Sequence, residues 1–213
     1  VWLVMGSTYL MEKSFEDNNV AYVRIVSRDA GRMFIRYFDQ LWADAYKEPE
    51  IEPVHLANVD LMFNRQYFPA VRKLFQNAKR KIYVVLYGMY IGDGRSSVSL
   101  LAADLINAKE RGVDVRIILD QSTGEFSERT GELNEEARQF FEKSGIELRM
   151  DSKEVITHAK VLIVDDQAVV GGTNWGHGPL DQYNDCNAVL RDPDAVEKLA
   201  RAFLTLWNGS PRF

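Results

Sequence analysis

Thr157-His158-Ala159-Lys160-Val161-Leu162-Ile163-Val164-Asp165, with Gly171-Gly172-Thr173-Asn174 close behind, is the stretch from which this chain is read. Side chains alternate along an extended segment, so His158 and Lys160, two residues apart, look into one site. The apolar run Val161 to Val164 reads as a buried strand. The Gly171-Gly172 turn lets the backbone approach whatever binds there, and Asn174 falls at the mouth. An imidazole, an ammonium and a carboxamide that converge suit phosphoryl transfer, in which a covalent intermediate forms while charge on the non-bridging oxygens is balanced. That chemistry needs no metal.

Composition sets the frame. With 213 residues, 46% of them hydrophobic, the chain can bury a sizeable core. A formal net charge of -5 gives no general attraction to nucleic acid or anionic lipid and leaves only a local basic cleft for such a role. The single cysteine, Cys186, excludes an intrachain disulfide. His55, His158 and His177 lack Cys or Glu partners at ligand spacing, so neither a metal nor another cofactor is expected. No apolar run reaches the roughly 18 to 20 residues of a membrane-spanning helix. The residues as given read as soluble, with the compartment, cytoplasmic or secreted, open.

The arrangement resembles the H-x-K-x4-D signature of the phospholipase D superfamily, with His158, Lys160 and Asp165 at the three positions and Gly171, Gly172 and Asn174 on the Gly-Gly/Ser-x-Asn element that follows. The spacing from Asp165 is about one residue shorter than usual. The resemblance implies that His158 forms a phosphohistidine, that Lys160 and Asn174 hold the phosphoryl oxygens and that Asp165 orders the motif. Gly171, Gly172, Thr173 and Trp175 are then candidates to line the substrate. Family members carry a Glu shortly after the glycine turn that contacts the histidine; here Asp185, in Tyr183-Asn184-Asp185, is its candidate substitute.

Outward from the motif, strands alternate with helices of 10 to 15 residues over 54–213. The pattern predicts a layered α/β fold, a mixed sheet covered by helices, similar to a phospholipase D catalytic unit. Ile82 to Met89 is a near-continuous apolar run, expected to be buried on both faces. The N-terminal part repeats the C-terminal part. One offset sets Gly6 on Gly171, Thr8 on Thr173, Asn19 on Asn184 and Phe38, Leu41 and Trp42 on Phe203, Leu206 and Trp207. Residues 1–46 therefore read as the closing part of a first repeat and 47–53 as a proline-bracketed linker, with Tyr9–Asn19 expected as a polar loop. In this register the first His, Lys and Asp fall before Val1, and Tyr9 stands where Asn174 stands, which degrades the first site.

By resemblance, two H-x-K units face each other, one histidine attacking and the other protonating the leaving group. This chain supplies one. The second comes from an upstream half or from a homodimer partner; a natural or engineered truncation that keeps one motif is the other reading. A phospholipid and a nucleic acid phosphodiester both remain as substrate, and a silent assembly or binding domain is the alternative outside catalysis. An aromatic rim of Tyr87, Met89, Tyr90 and Trp175 would serve a lipid. Lys79-Arg80-Lys81 reads first as cations at a helix C-terminus, Asp120 as a strand-end residue and His177 as an exposed loop residue.

Overall fold

A computed structural model describes residues 1–7, 12–92, 94–122 and 128–212. Thr8 and Tyr9, on which part of the repeat comparison rests, lie outside them. In chain order the elements are β1 (Trp2–Gly6), α1 (Glu12–Glu16), β2 (Tyr22–Val26), α2 (Arg28–Ala43), β3 (Val54–His55), β4 (Val59–Phe63), α3 (Tyr67–Asn77) and β5 (Lys81–Leu86). They continue with α4 (Ser97–Glu110), β6 (Asp114–Leu119), α5 (Glu128–Glu142), β7 (Glu147–Met150), β8 (Lys160–Val164), β9 (Gln167–Gly171), α6 (His177–Asp181), β10 (Cys186–Leu190) and α7 (Pro193–Trp207).

Local chemistry sets several boundaries. Ser96 Oγ accepts from Ser99 N and starts α4, and Gly112, at φ 88°, takes the left-handed turn that follows it. Asp192 caps α7 and Pro193 occupies its first turn, where a missing N–H costs nothing.

Eight strands form one mixed sheet in the order β3-β4-β10-β9-β8-β5-β6-β7. β5, β6 and β7 run parallel, while β8 lies antiparallel to β5 and pairs Lys160 with Leu86. Alternation then sorts the core. Ile82, Val84, Leu86, Leu162 and Val164 pack with α3, α4 and α5 through Phe75, Leu101, Leu105 and Phe141. Tyr83, Val85, Val161 and Ile163 face the other way, onto Phe203 and Trp207 of α7.

β1 and β2 pair in a separate two-stranded sheet. With α2 they pack on the α7 side, where Met5, Ile25 and Tyr37 join Leu61, Phe63 and Ala188. β1, α1, β2 and α2 follow one another at nearly the residue offset that carries Gly6 onto Gly171, as β9, α6, β10 and α7 do. The polar loop expected at Tyr9–Asn19 is corrected in part: Glu12–Glu16 is a helical turn, as is His177–Asp181 at the matching place. Within the linker at 47–53, Ile51 is buried and its carbonyl accepts from Gln66 Nε2.

Candidate active site

The carboxyl ends of β5 and β6 and the start of β8 meet at one edge of the sheet, the place where α/β folds collect ligands. Because β8 pairs with β5 from Lys160 onward, His158 and Lys160 arrive beside Tyr87, the residue after β5. The His158 and Tyr87 rings lie 4.8 Å apart, and Lys160 Nζ sits 5.1 Å from the centre of the Tyr87 ring. Lys160 Nζ also donates to the His158 carbonyl at 2.7 Å. Both side chains are enclosed, at 9% and 4% exposure.

The His158 ring is held through Nδ1 by the carbonyl of Ser7. A carbonyl only accepts, so Nδ1 carries the proton and in the neutral ring Nε2 carries the lone pair. Burial, then the neighbouring Lys160, pushes the His158 pKa down to about 4, with the Ser7 contact opposing. Burial also lowers Lys160, to about 7, against the opposing charges of Asp185 and Asp120. At neutral pH the site holds a neutral imidazole beside an ammonium that gives up its proton easily.

Gly171 and Gly172 make room for side chains of the protein itself. A Cβ on Gly172 would stand 2.3 Å from Asp185 Oδ1, and one on Gly171 2.0 Å from Asn187 Oδ1. Asn187 donates to Thr173 Oγ1 at 2.8 Å, and Thr173 Oγ1 donates to Asp185 Oδ2 at 3.1 Å. Asp185 also accepts from Cys186 N, while its own N–H donates to Asn64 Oδ1. Burial raises the Asp185 pKa. Asp185 is thus a half-buried counter-charge to Lys160. Asn174 Oδ1 accepts from Gly88 N at 3.2 Å, which leaves the amide N–H groups as the donors that end can offer an oxyanion.

Other expected residues lie elsewhere. Asp165 stands roughly 17 Å along the strand from Lys160, at ~3.3 Å per residue. Its carboxylate accepts from the backbone N–H groups of Lys79, Arg80 and Lys81 and pins the β8–β9 turn to the start of β5. Asp165 therefore anchors the turn that follows the motif strand. Burial opposes its ionisation, but those N–H groups and Arg80 hold its pKa below the usual range. Trp175, expected at the substrate rim, is buried, donates to Tyr67 OH and packs on Phe75. Met89 is likewise core, whereas Tyr90 is exposed. His177 pairs with Asp181 and His55 with Asp60, both at the surface. A cleft of about 410 Å³ lined by His55, Lys73, Asp165 and Arg191 is remote from His158.

Thr157, Asp120, Asp151, Asn19 and Ser7 enter the site without a local signal in the sequence. Asp120 was legible only as a strand end, and Asn19 only through its repeat partner Asn184.

A family model described as cardiolipin synthase, PLD-like domain, matches residues 71–207, which include the whole H-x-K-x4-D stretch. The chain belongs to the phospholipase D superfamily. Among curated relatives, phospholipase D of Rickettsia prowazekii (strain Madrid E) is 33% identical over 132 residues, 62% of this chain and 56% of that protein. Phospholipase D of Rickettsia bellii (strain RML369-C) is 33% identical over 130 residues, 61% and 56% of the two chains. The match thus spans little more than half the length of these PLD-like relatives. Among solved structures, the phospholipase D family member Nuc from Salmonella typhimurium aligns with a TM-score of 0.58 at 24% identity, over 76% of this chain and 99% of its own. Phosphatidylserine synthase from Haemophilus influenzae Rd KW20 aligns with a TM-score of 0.71 at 14% identity, over 95% of this chain and 59% of its own. At these identities the likeness is one of fold.

Proposed function

We propose that the chain is the catalytic part of a phosphodiester hydrolase or transferase that works through a phosphohistidine at His158, with a phospholipid as substrate. The observation that carries this reading is the ring of His158, fixed at Nδ1 by Ser7, with buried Lys160 gathered at the same Tyr87 ring. In the first step Nε2 forms the N–P bond and the P–O bond to the leaving alkoxide breaks. Lys160 and the Asn174 amide balance charge on the non-bridging oxygens, a task that otherwise falls to a metal. Water or an alcohol then attacks phosphorus, the N–P bond breaks, and His158 is restored.

The leaving alkoxide needs a proton, and neutral His158 with its Nδ1 committed has none to give. A second H-x-K unit supplies it and takes a proton back from the attacking water or alcohol in the second step; it comes from an upstream sister unit, of which 1–46 is the closing part, or from a second copy of the chain. Phospholipid is favoured by the naming of the curated relatives as phospholipase D and by the net charge of -5, which repels a polyanion. Among the described residues no helix is long and apolar enough to cross a membrane, so a lipid substrate would be met at a surface.

The test is hydrolysis of bis(p-nitrophenyl) phosphate in EDTA by the polypeptide that carries its natural upstream sequence, beside His158→Ala. Turnover that vanishes with the histidine supports the reading; turnover that persists refutes it. Choline release from phosphatidylcholine vesicles against cleavage of single-stranded DNA then separates the lipid reading from a nuclease, and a folded protein inactive on all three is a binding domain.

A further inference from the structure

Thr157, the residue before His158, is held from three sides. Its N–H donates to Asp120 Oδ1 at 2.7 Å, its hydroxyl donates to Asp151 Oδ2, and the same hydroxyl accepts from Asn19 Nδ2 at 2.9 Å. Asn19 N donates to the carbonyl of Ile156 at 2.9 Å, and Asn19 Nδ2 reaches the carbonyl of Pro211 as well. Asp120 Oδ2 accepts from the N–H and hydroxyl of Ser122. Asn134 ties the Asp120 carbonyl to that of Tyr87, the residue whose ring lies tilted against His158. Asn19, Asp120, Asn134 and Thr157 are each nearly enclosed.

We propose that Asn19, Asp120 and Asp151 are positioning residues that clamp Thr157 and so hold the His158 ring at its angle of attack, a role that rests on the phosphohistidine reading. Two buried carboxylates on one threonine are an expensive way to fix a backbone that a neutral pair could fix. Burial raises both of their pKa values despite the hydrogen bonds, so keeping them ionised opposes folding. Their donors are N–H and O–H groups, which suit the charged forms. The charge has a use here, since Asp120 also faces Lys160 and favours its ammonium. Asn19 makes the N-terminal segment part of this clamp, alongside the Ser7 carbonyl.

The experiment compares Thr157→Val, Thr157→Ser and Asn19→Ala with the wild type by two readouts. The first is the NMR titration of the three histidines, His158 being assigned with His158→Asn; it needs no activity. Lys160 and Tyr87 beside His158, and Asp120, Asp151 and Asp185 around Thr157 and Lys160, stay unchanged. The wild-type ring should titrate near 4, and Thr157→Val and Asn19→Ala should move it up towards 6.5 as the ring loosens into water. The second readout is kcat and KM on the phosphodiester. Thr157→Val should lose about 10- to 100-fold in kcat with KM nearly constant, since a displacement near 1 Å costs on that order, and Thr157→Ser should recover most of it. Titration and kcat unchanged in folded Thr157→Val and Asn19→Ala overturn the clamp, as does a loss equal in Thr157→Ser and Thr157→Val. A wild type that turns over nothing even with its natural upstream sequence refutes the phosphohistidine reading instead, while the titration still decides the clamp.

Discussion

Ser7 and His158 are 151 positions apart, yet the Ser7 carbonyl accepts the Nδ1–H of the His158 ring. In the proposed mechanism that contact leaves Nε2 as the attacking nitrogen, and burial of His158 and Lys160 gives the reaction a definite pH dependence. Below about 4 the ring is protonated and Nε2 has no lone pair; above about 7 Lys160 loses the charge that faces the phosphoryl oxygens. The pH profile of kcat/KM should rise through about 4 and fall above about 7. Lys160→Arg should remove the alkaline limb, because a guanidinium keeps its proton throughout this range. An alkaline limb still near 7 in that variant would mean another group produces it.

The same burial sets a cost in stability. The folded Lys160 pKa lies below the ordinary value of 10.5, so an unfolded chain holds that proton more tightly from about 7 upward. Stability from this residue is complete above about 10.5 and is lost as pH falls towards 7. Lys160→Met should therefore melt at a higher temperature than the wild type at pH 6, lose most of that advantage by pH 10 and be inactive at both. His158 acts in the same direction at lower pH, its contribution falling away between 6.5 and about 4. A melting difference independent of pH would refute the lysine as its source.

Asp165 tests whether anchoring and catalysis separate within the signature. Three backbone N–H groups lose their acceptor in Asp165→Ala, a loss of about 2 to 3 kcal/mol at typical values for charged hydrogen bonds that water partly replaces. At about 2 to 4 °C per kcal/mol for a chain of this size, the thermal midpoint should drop by roughly 4 to 12 °C. Turnover per folded molecule, measured well below the midpoint, should stay within about threefold. A loss of several hundredfold there would place Asp165 in the chemistry.

What the sequence revealed and what it hid follow from the range of the interactions. His158 and Lys160 were legible because strand alternation acts over two residues, and the wall-to-wall apolar run at β5 because both faces of a central strand are covered. Trp175 was misplaced because an aromatic after Asn174 reads equally as rim or core. Its hydrogen bond to Tyr67, 108 positions away, decides for core. The turn at Glu12–Glu16 is too short to show helical periodicity. The grip on Thr157 joins residues 37 and 138 positions apart, and no local pattern encodes such a meeting.

Helices α2 and α7 carry the same aromatic pair in different surroundings. Phe203 and Trp207 stack in α7 at 5.7 Å and are 1% and 4% exposed. Tyr83 of β5 stacks on Phe203 at 4.5 Å, and the guanidinium of Arg149 lies 4.2 Å from the Trp207 ring. Their repeat counterparts on α2, Phe38 and Trp42, stack at the same 5.7 Å but are 57% and 81% exposed. An aromatic pair kept in stacking register on a helix face is suited to a sheet that presents an aromatic ring and a guanidinium, as β5 and β7 do for α7. In the proposed sister unit that sheet lies upstream. Trp42→Ala should then shift the stability of residues 1–213 alone by less than about 0.5 kcal/mol, as at other exposed positions. In the polypeptide with its natural upstream sequence it should cost about 3 to 5 kcal/mol, the range for a buried tryptophan. Thermal melts of the four proteins make the comparison, with solution mass measured over concentration. A small effect in both polypeptides would leave α2 uncovered and refute the sister unit, and a loss that tracks dimer dissociation of residues 1–213 would assign the cover to a second copy.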